Sequence, residues 1–151
     1  MNREEAFDRL KRVPREFDAA RWSISRTLPQ VVQDPTIFRT DTLTTGDLRD
    51  CQRNLEVTYL TRIFAEFETV LRDFYWSLMH PQQTRRRTSI EAVIDRIAAR
   101  QYIPADVLDG AHAVREYRND VIHDGLRTPR LPLHDCKSRL AKYISYFPPV
   151  W

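Results

Sequence analysis

Residues 47–79 read "DLRDCQRNLEVTYLTRIFAEFETVLRDFYWSLM" and set the expected fold of this chain. Apolar residues recur there at every third or fourth position, the period of an amphipathic α-helix. The main row contains Leu48, Cys51, Leu55, Tyr59, Ile63, Phe67, Val70, Phe74 and Leu78. A second row widens the stripe with Leu60, Phe64, Leu71 and Tyr75. The helix would be about 50 Å long, and so wide a stripe predicts packing against other helices and against another subunit.

The segment that precedes this helix is also helical in its periodicity. Pro14 is expected in the first turn of a second helical stretch, because a first-turn residue needs no backbone N–H donor. Pro29 is expected to end that stretch. Residues 29–46 contain Pro35, Gly46 and several threonines, a composition that is typical of a surface loop.

Three shorter helices are predicted after the long one. The first covers 89–100, with Thr88 as its N-cap and Glu91 completing a capping box. The second covers about 104–124, and the third about 133–146. Val/Ile/Thr-rich alternation is scarce and only three glycines occur, so no strands are expected.

The expected fold is therefore all-α, a bundle of five to six helices with one long amphipathic helix. The 151 residues suit one domain. Within it, 1–45 would form an N-terminal helical extension and loop, and 47–147 the core bundle.

Composition narrows the class of protein. The chain is 42% hydrophobic and 30% charged, which excludes a disordered protein, and no apolar run approaches the length of a membrane span. The first residues show no secretory signal, and Cys51 and Cys136 are expected to be reduced thiols of a cytoplasmic protein. No glycine-rich phosphate loop or zinc-type cysteine–histidine spacing occurs, so neither cofactor nor metal is expected.

The positive charge is carried almost entirely by arginine. The net charge is +3, and lysine occurs at only three positions. Arginine matches phosphates with two parallel hydrogen bonds and stacks on bases. The excess of positive charge is therefore compatible with a nucleic-acid partner but does not prove one.

Residues 115–125, "REYRNDVIHDG", hold the strongest candidate for a chemical site. The spacing from arginine to histidine is by itself weak support for a site, because a chain with 21 arginines is expected to contain it by chance. The same spacing class occurs between Arg127 and His134. The context is better, since His123 and Asn119 are four residues apart and would share a helix face. Arg118 would lie about 140° around the helix on an adjoining face, while Val121 and Ile122 would face the core.

The stretch "RNDVIH" resembles the Arg-x4–6-His signature of the HEPN superfamily, with a polar residue directly after the arginine. Together with the helix order, the resemblance covers residues 47–147. It implies a homodimeric helical bundle in which two signature helices meet at a shared cleft. Active members are similar to metal-independent endoribonucleases that cut single-stranded RNA, and serve as toxins or anti-phage defence factors with an antitoxin or other partner protein.

The resemblance also implies roles for three residues. His123 would be the general acid and base for attack of a ribose 2′-OH on the adjacent phosphate. Arg118 would stabilise the charge that develops on the phosphoryl oxygens, and Asn119 would orient His123 or hold substrate. In one respect the chain departs from the pattern: Gly125 stands where some toxins carry a tyrosine that an antitoxin modifies.

Two other readings of the motif remain open. The chain can be a catalytically inactive HEPN-like module that binds RNA or protein through the same helix end. Alternatively, it is an unrelated helical adaptor in which the motif is accidental. In the plainest case the motif is a solvated helix end, with Arg118 paired to Glu116 or Asp120.

Several residues outside the motif are candidates for contact with RNA. Arg85, Arg86 and Arg87 would hold the RNA backbone or, alternatively, form a solvated loop. Arg115 is grouped with them as an RNA-binding residue. His112 shares a face with His123 and is either a second catalytic histidine or a satisfied surface histidine. The three tryptophans stack on bases or pack in the core: Trp22, Trp76 and Trp151.

Overall fold

A computed structural model of the protein describes residues 1–38, 42–78, 88–123 and 130–151. Five α-helices run in chain order: α1 (Arg3–Gln33), α2 (Thr45–Leu78), α3 (Ile90–Gln101), α4 (Ala105–His123) and α5 (Leu133–Ile144). A short 3₁₀ helix, Pro35–Ile37, follows α1. These ranges contain no strand, so the predicted all-α fold is confirmed. No helix among them is long and apolar enough to cross a membrane.

The prediction of two stretches in the first segment is wrong, because α1 is one helix that continues through Pro14 and Pro29. Each proline removes one hydrogen bond of the helix. The apolar face of α1 nevertheless runs unbroken from Ala6 to Phe17, and Pro14 is itself buried on it. Burial of this face against the other helices offsets the lost hydrogen bond. After Pro29 the helix continues to Gln33, so the predicted loop begins later than expected.

Helices α1 and α2 form an antiparallel pair held by ion pairs along its length. The N-terminal ammonium of Met1 lies 3.3 Å from Asp73, and Arg9 lies 3.2 Å from Glu66. Arg62 pairs with Glu16 in the next turns. The protein thus has two long helices rather than the single one that was predicted.

The apolar stripe of α2 is buried from Leu55 onward. Leu48 is only partly buried and Cys51 is exposed, so the prediction that the buried row starts at Leu48 is wrong. The reason lies in the tertiary packing, because the start of α5 reaches α2 at Glu56, which accepts a hydrogen bond from Leu133 N (2.9 Å). The earlier turns of α2 extend past this point.

All five helices contribute to one hydrophobic core. Tyr143 of α5 lies at its centre, fully buried, and its hydroxyl donates a hydrogen bond to the carbonyl of Ile94 in α3 (2.6 Å). The Phe67 ring packs edge-on against Tyr143, and Phe74 stacks on Phe147 at 4.1 Å between centroids. Core residues of α1 belong to the same cluster as those of α2.

The N-terminus of α3 is capped by Ser89. The prediction that Thr88 is the cap is therefore wrong. The Ser89 hydroxyl accepts a hydrogen bond from Ala92 N (3.2 Å). Thr88 lies one residue outside the cap, and its carbonyl accepts a hydrogen bond from Arg72 of α2 (3.3 Å). This contact with α2 sets where α3 begins, which explains the shift of one residue.

We expect Ser89→Ala to lower the free energy of unfolding by about 0.5–2 kcal/mol, because the substitution leaves the Ala92 N–H without its capping oxygen. Ser89→Asp should retain most of the stability, since aspartate caps equally well. Urea unfolding followed by circular dichroism measures both. If Thr88→Ala lowered stability while Ser89→Ala did not, Thr88 would be the cap after all.

Candidate active site

The C-terminal turns of α4 hold the motif residues. One face of α4 is buried in the core through Val107, Ala111, Val114 and Tyr117. This register leaves Arg118 and Asn119 half-buried at the edge of the core and His123 exposed as the last residue of the helix. Val121 packs against the core as predicted, whereas Ile122 is 45% exposed. The prediction that Ile122 faces the core is therefore wrong, because it lies beyond the helices that cover α4.

The Arg118 guanidinium is held by two neutral groups. Its Nη1 donates a hydrogen bond to Asn119 Oδ1 (3.1 Å), and its Cζ lies 5.7 Å from the centroid of the Phe64 ring. Phe64 is a buried residue of α2, so its ring forms a fixed apolar platform for the cation. The Nε atom of Arg118 is buried and has no hydrogen-bond partner.

The neighbouring acids do not neutralise Arg118. Glu116 lies 3.8 Å from Arg115, and Asp120 pairs with Arg130. The alternative that Arg118 pairs with Glu116 or Asp120 is therefore not the arrangement that the structure shows. No ion pair joins Arg118 to a carboxylate among the described residues. A half-buried cation in this state is costly for the fold and retains its affinity for an external anion.

His123 and Arg118 do not converge within one chain. Five residues of helix separate them by about 7.5 Å along the axis and by about 140° around it. The expected contact between Asn119 and His123 is not formed in the described part of the chain, where Asn119 accepts a hydrogen bond from Arg118 instead. His123 is the last residue of α4, at the negative end of the helix dipole.

Two polar contacts between α3 and α4 fix the orientation of α4. His112 Nε2 lies 2.8 Å from Asp95 Oδ1, and Arg115 Nη2 lies 3.2 Å from Glu91 Oε1. The Arg115 side chain is only 14% exposed, so most of it contacts protein. Its role in RNA binding stays a prediction. His112 lies one turn of helix before Arg115 and is only 20% exposed, and its Nδ1 atom is buried without a hydrogen-bond partner.

The other described residues predicted to contact RNA do not lie together at the end of α4. Arg85, Arg86 and Arg87 lie outside the described residues, as does Gly125. Trp151 packs on Phe74 and Phe147 and donates its indole N–H to Asp73 (3.0 Å). Trp22, by contrast, is 61% exposed on α1, with Arg26 over its ring.

Sequence reasoning identified Phe64 only as a core residue and missed its contact with Arg118. The two positions are far apart in the chain, and nothing in the spacing of either helix links them. The apolar row that contains Phe64 was the only available signal.

The two cysteines differ in burial. Cys136 is buried in the core, and this burial raises the pKa of its thiol to about 12. The thiol therefore stays protonated and is a poor nucleophile in the folded protein. Cys51 is exposed on the early turns of α2. The described residues contain no cluster of three or more histidine, cysteine or acidic side chains arranged to hold a metal ion.

Comparison of the chain with protein-family models, with curated proteins and with solved structures gives no match.

We expect a thiol reagent to modify the native protein at Cys51 alone, because Cys51 is exposed and Cys136 is buried. Cys51→Ser should abolish the fast reaction, and unfolding in urea should release Cys136. The native pKa of Cys136 lies above its ordinary value of 9.0, so the folded state keeps a proton that the unfolded state loses. Stability should therefore fall as pH rises from about 9 towards 12. Rapid labelling of Cys136 in the native protein would contradict this arrangement.

Proposed function

We propose that this protein is a metal-independent endoribonuclease of HEPN type, which cleaves single-stranded RNA as a homodimer. The observation that carries the proposal is the state of Arg118. This half-buried guanidinium lies on the Phe64 ring without a carboxylate partner, five residues before an exposed histidine at the same helix end.

The contrast with neighbouring arginines supports this reading. Arg72, Arg115 and Arg130 are each paired with an acid, and such pairs account for their positions in the fold. Arg118 lacks this compensation, and its charge therefore suits an anion from outside the chain. A phosphodiester supplies that anion and offers paired oxygens to a guanidinium.

The proposed reaction uses the substrate's own nucleophile. The His123 imidazole takes the proton of the ribose 2′-OH, and the 2′ oxygen forms a bond to the adjacent phosphorus. The bond from phosphorus to the 5′ oxygen of the next nucleotide breaks, and an imidazolium returns a proton to that leaving oxygen. Arg118 stabilises the negative charge on the non-bridging oxygens. Asn119, through its contact with Arg118, keeps the guanidinium in place.

A second protein chain completes the site in this proposal. Because Arg118 and His123 point in directions about 140° apart, one phosphate contacts both only if they come from different chains. The exposed Ile122 side chain, next to His123, would be covered in such a dimer.

The proposed biological role is that of a cytoplasmic toxin or anti-phage defence factor, held inactive by an antitoxin or other partner protein. Gly125 stands where some such toxins carry the tyrosine that their antitoxin modifies. A partner that blocks the cleft by binding is therefore a better fit than one that modifies this position.

The second candidate function is an inactive HEPN-like module that binds RNA or protein. It is favoured by one observation, the hydrogen bond of Asn119 to Arg118 in place of one to His123. Without a partner, His123 is not oriented for proton transfer within the chain. In this reading Arg118 still binds an anion, but no bond is broken.

We expect His123→Ala to lower the rate of RNA cleavage by about 10²–10⁴-fold, the usual contribution of a general acid or base. Arg118→Ala should lower it by about 10²–10³-fold through lost charge stabilisation. Both variants should relieve growth inhibition in a bacterial host. Cleavage of labelled RNA in the presence of a chelator measures the rates.

The matched control is His134→Ala. His134 is an exposed histidine that follows an arginine, Arg127, at a similar spacing, but it pairs with Asp18 of α1 (3.2 Å). This substitution should leave cleavage unchanged. RNA that stays intact with the wild-type protein, or equal cleavage by wild type and His123→Ala, would overturn the nuclease proposal. RNA binding without cleavage would support the inactive module.

We expect two inactive variants to restore activity when combined. Co-expression of Arg118→Ala with His123→Ala should give about a quarter of the wild-type rate, because half of the dimers are mixed and each keeps one complete site. A site built within a single chain would give no recovery at all. Tagging the two variants differently allows the mixed dimer to be isolated and assayed alone.

A further inference from the structure

Tyr102, in the turn between α3 and α4, has an unusual backbone conformation for its residue type. Its φ of 53° and ψ of 42° place it in the left-handed region, and no other non-glycine residue among the described ones has a positive φ. It ends α3 through its own N–H, and the next residue, Ile103, also donates its N–H to Ala98 O (3.0 Å). Glycine is the usual residue at such a helix terminus, because a Cβ atom is strained there.

The Tyr102 side chain does not stabilise the fold through contacts. It is 90% exposed, and within the described ranges it forms no hydrogen bond, ion pair or ring contact. A large aromatic ring in water, on a strained backbone, lowers stability compared with glycine. Strain retained at an exposed position is a reason to look for a binding role.

The surroundings of Tyr102 combine arginines with aromatic rings. Arg100 Nη1 donates to Leu78 O (3.2 Å), which places the end of α3 beside the end of α2. Arg96 donates to the Tyr75 hydroxyl (2.7 Å), and the Tyr75 ring contacts Trp76, which is 39% exposed. Both arginines are exposed and lack a carboxylate partner among the described residues.

In the described part of the chain, no acid near in sequence forms an ion pair with Arg96 or Arg100. Asp106, in the first turn of α4, is paired with Lys142 (3.0 Å). Asp109 forms no ion pair in the described part of the chain, and Asp95, next to Arg96, contacts His112 (2.8 Å). Arg96 and Arg100 donate to neutral oxygens, so both guanidinium groups keep their charge for an anionic partner.

We propose that Tyr102 stacks on a base of single-stranded nucleic acid, with Arg96 and Arg100 contacting the adjacent phosphates. An exposed aromatic ring close in sequence to cations is typical of proteins that hold single strands without reading their sequence. The two guanidinium groups on the last turns of α3 favour a phosphate backbone as the partner. The choice of RNA as the ligand rests on the proposed function. The position lies at the far end of α4, about 28 Å from His123, so it binds substrate and takes no part in cleavage.

The test separates binding from both cleavage and folding. A labelled single strand of about 16 nucleotides, with 2′-O-methyl groups throughout, cannot be cut by 2′-OH attack. We expect Tyr102→Gly to weaken binding of this strand by about 5-fold to 100-fold, the usual effect of losing one stacked base. The same substitution should raise Tm by about 2–4 °C, because it relieves the strained backbone. Weaker binding by a more stable protein excludes unfolding as the cause.

Two further variants sharpen the result. Tyr102→Phe keeps the ring and should bind the strand as the wild type does. Val32→Ala shortens an exposed apolar side chain at the end of α1 and serves as the control, which should also leave binding unchanged. Fluorescence anisotropy gives the Kd of each.

Four outcomes would overturn the inference: no binding of the strand by wild type, equal binding by Tyr102→Gly, equal weakening by Tyr102→Phe, or equal weakening by Val32→Ala. Unchanged binding with altered sedimentation of Tyr102→Gly would instead indicate a contact between protein chains, and also overturns it. If wild type binds the blocked strand but leaves unmodified RNA intact, the nuclease proposal fails while this inference stands.

Discussion

The fold depends on the need to bury α2 on more than one side. From Leu55 to Tyr75, nine of its side chains are buried, and α2 contacts each of the other four helices. A single partner helix covers only one stripe of such a surface. Each fully buried apolar side chain contributes about 1.5–3 kcal/mol, so α2 is stable only when α1 and the three short helices pack around it together.

The candidate site is a consequence of that packing. Phe64 is buried because α2 is central, and its ring faces α4 where Arg118 lies across it. The pairs of His112 with Asp95 and of Arg115 with Glu91 hold α4 against α3 and fix its rotation. With the rotation set, Arg118 remains half-buried and His123 remains in solvent. A change in the rotation of α4 would remove the platform beneath the guanidinium.

Many charged side chains of the surface are paired with one another. Most ion pairs in the described ranges join neighbouring turns or neighbouring helices at the surface, as Arg9 and Glu66 do. Such exposed pairs contribute little to stability individually. What distinguishes Arg118 is its depth together with the lack of an acid, since a cation held by a ring and an amide keeps its full charge for a ligand. Arg96 and Arg100 also keep theirs, at the opposite end of α4.

The sequence by itself determined the helical class, the order of the helices and most of the core, because apolar spacing at three and four residues needs no tertiary information. It also identified Arg118 and His123 as a pair worth attention. Only the tertiary structure decided that Pro14 and Pro29 lie within one helix, that Ser89 caps α3, and that Ile122 is exposed. The same holds for the position of Arg118 on Phe64 and the exposed, left-handed Tyr102. These features depend on which surfaces neighbouring helices cover, and residues distant in the chain carry no local pattern that records their contact.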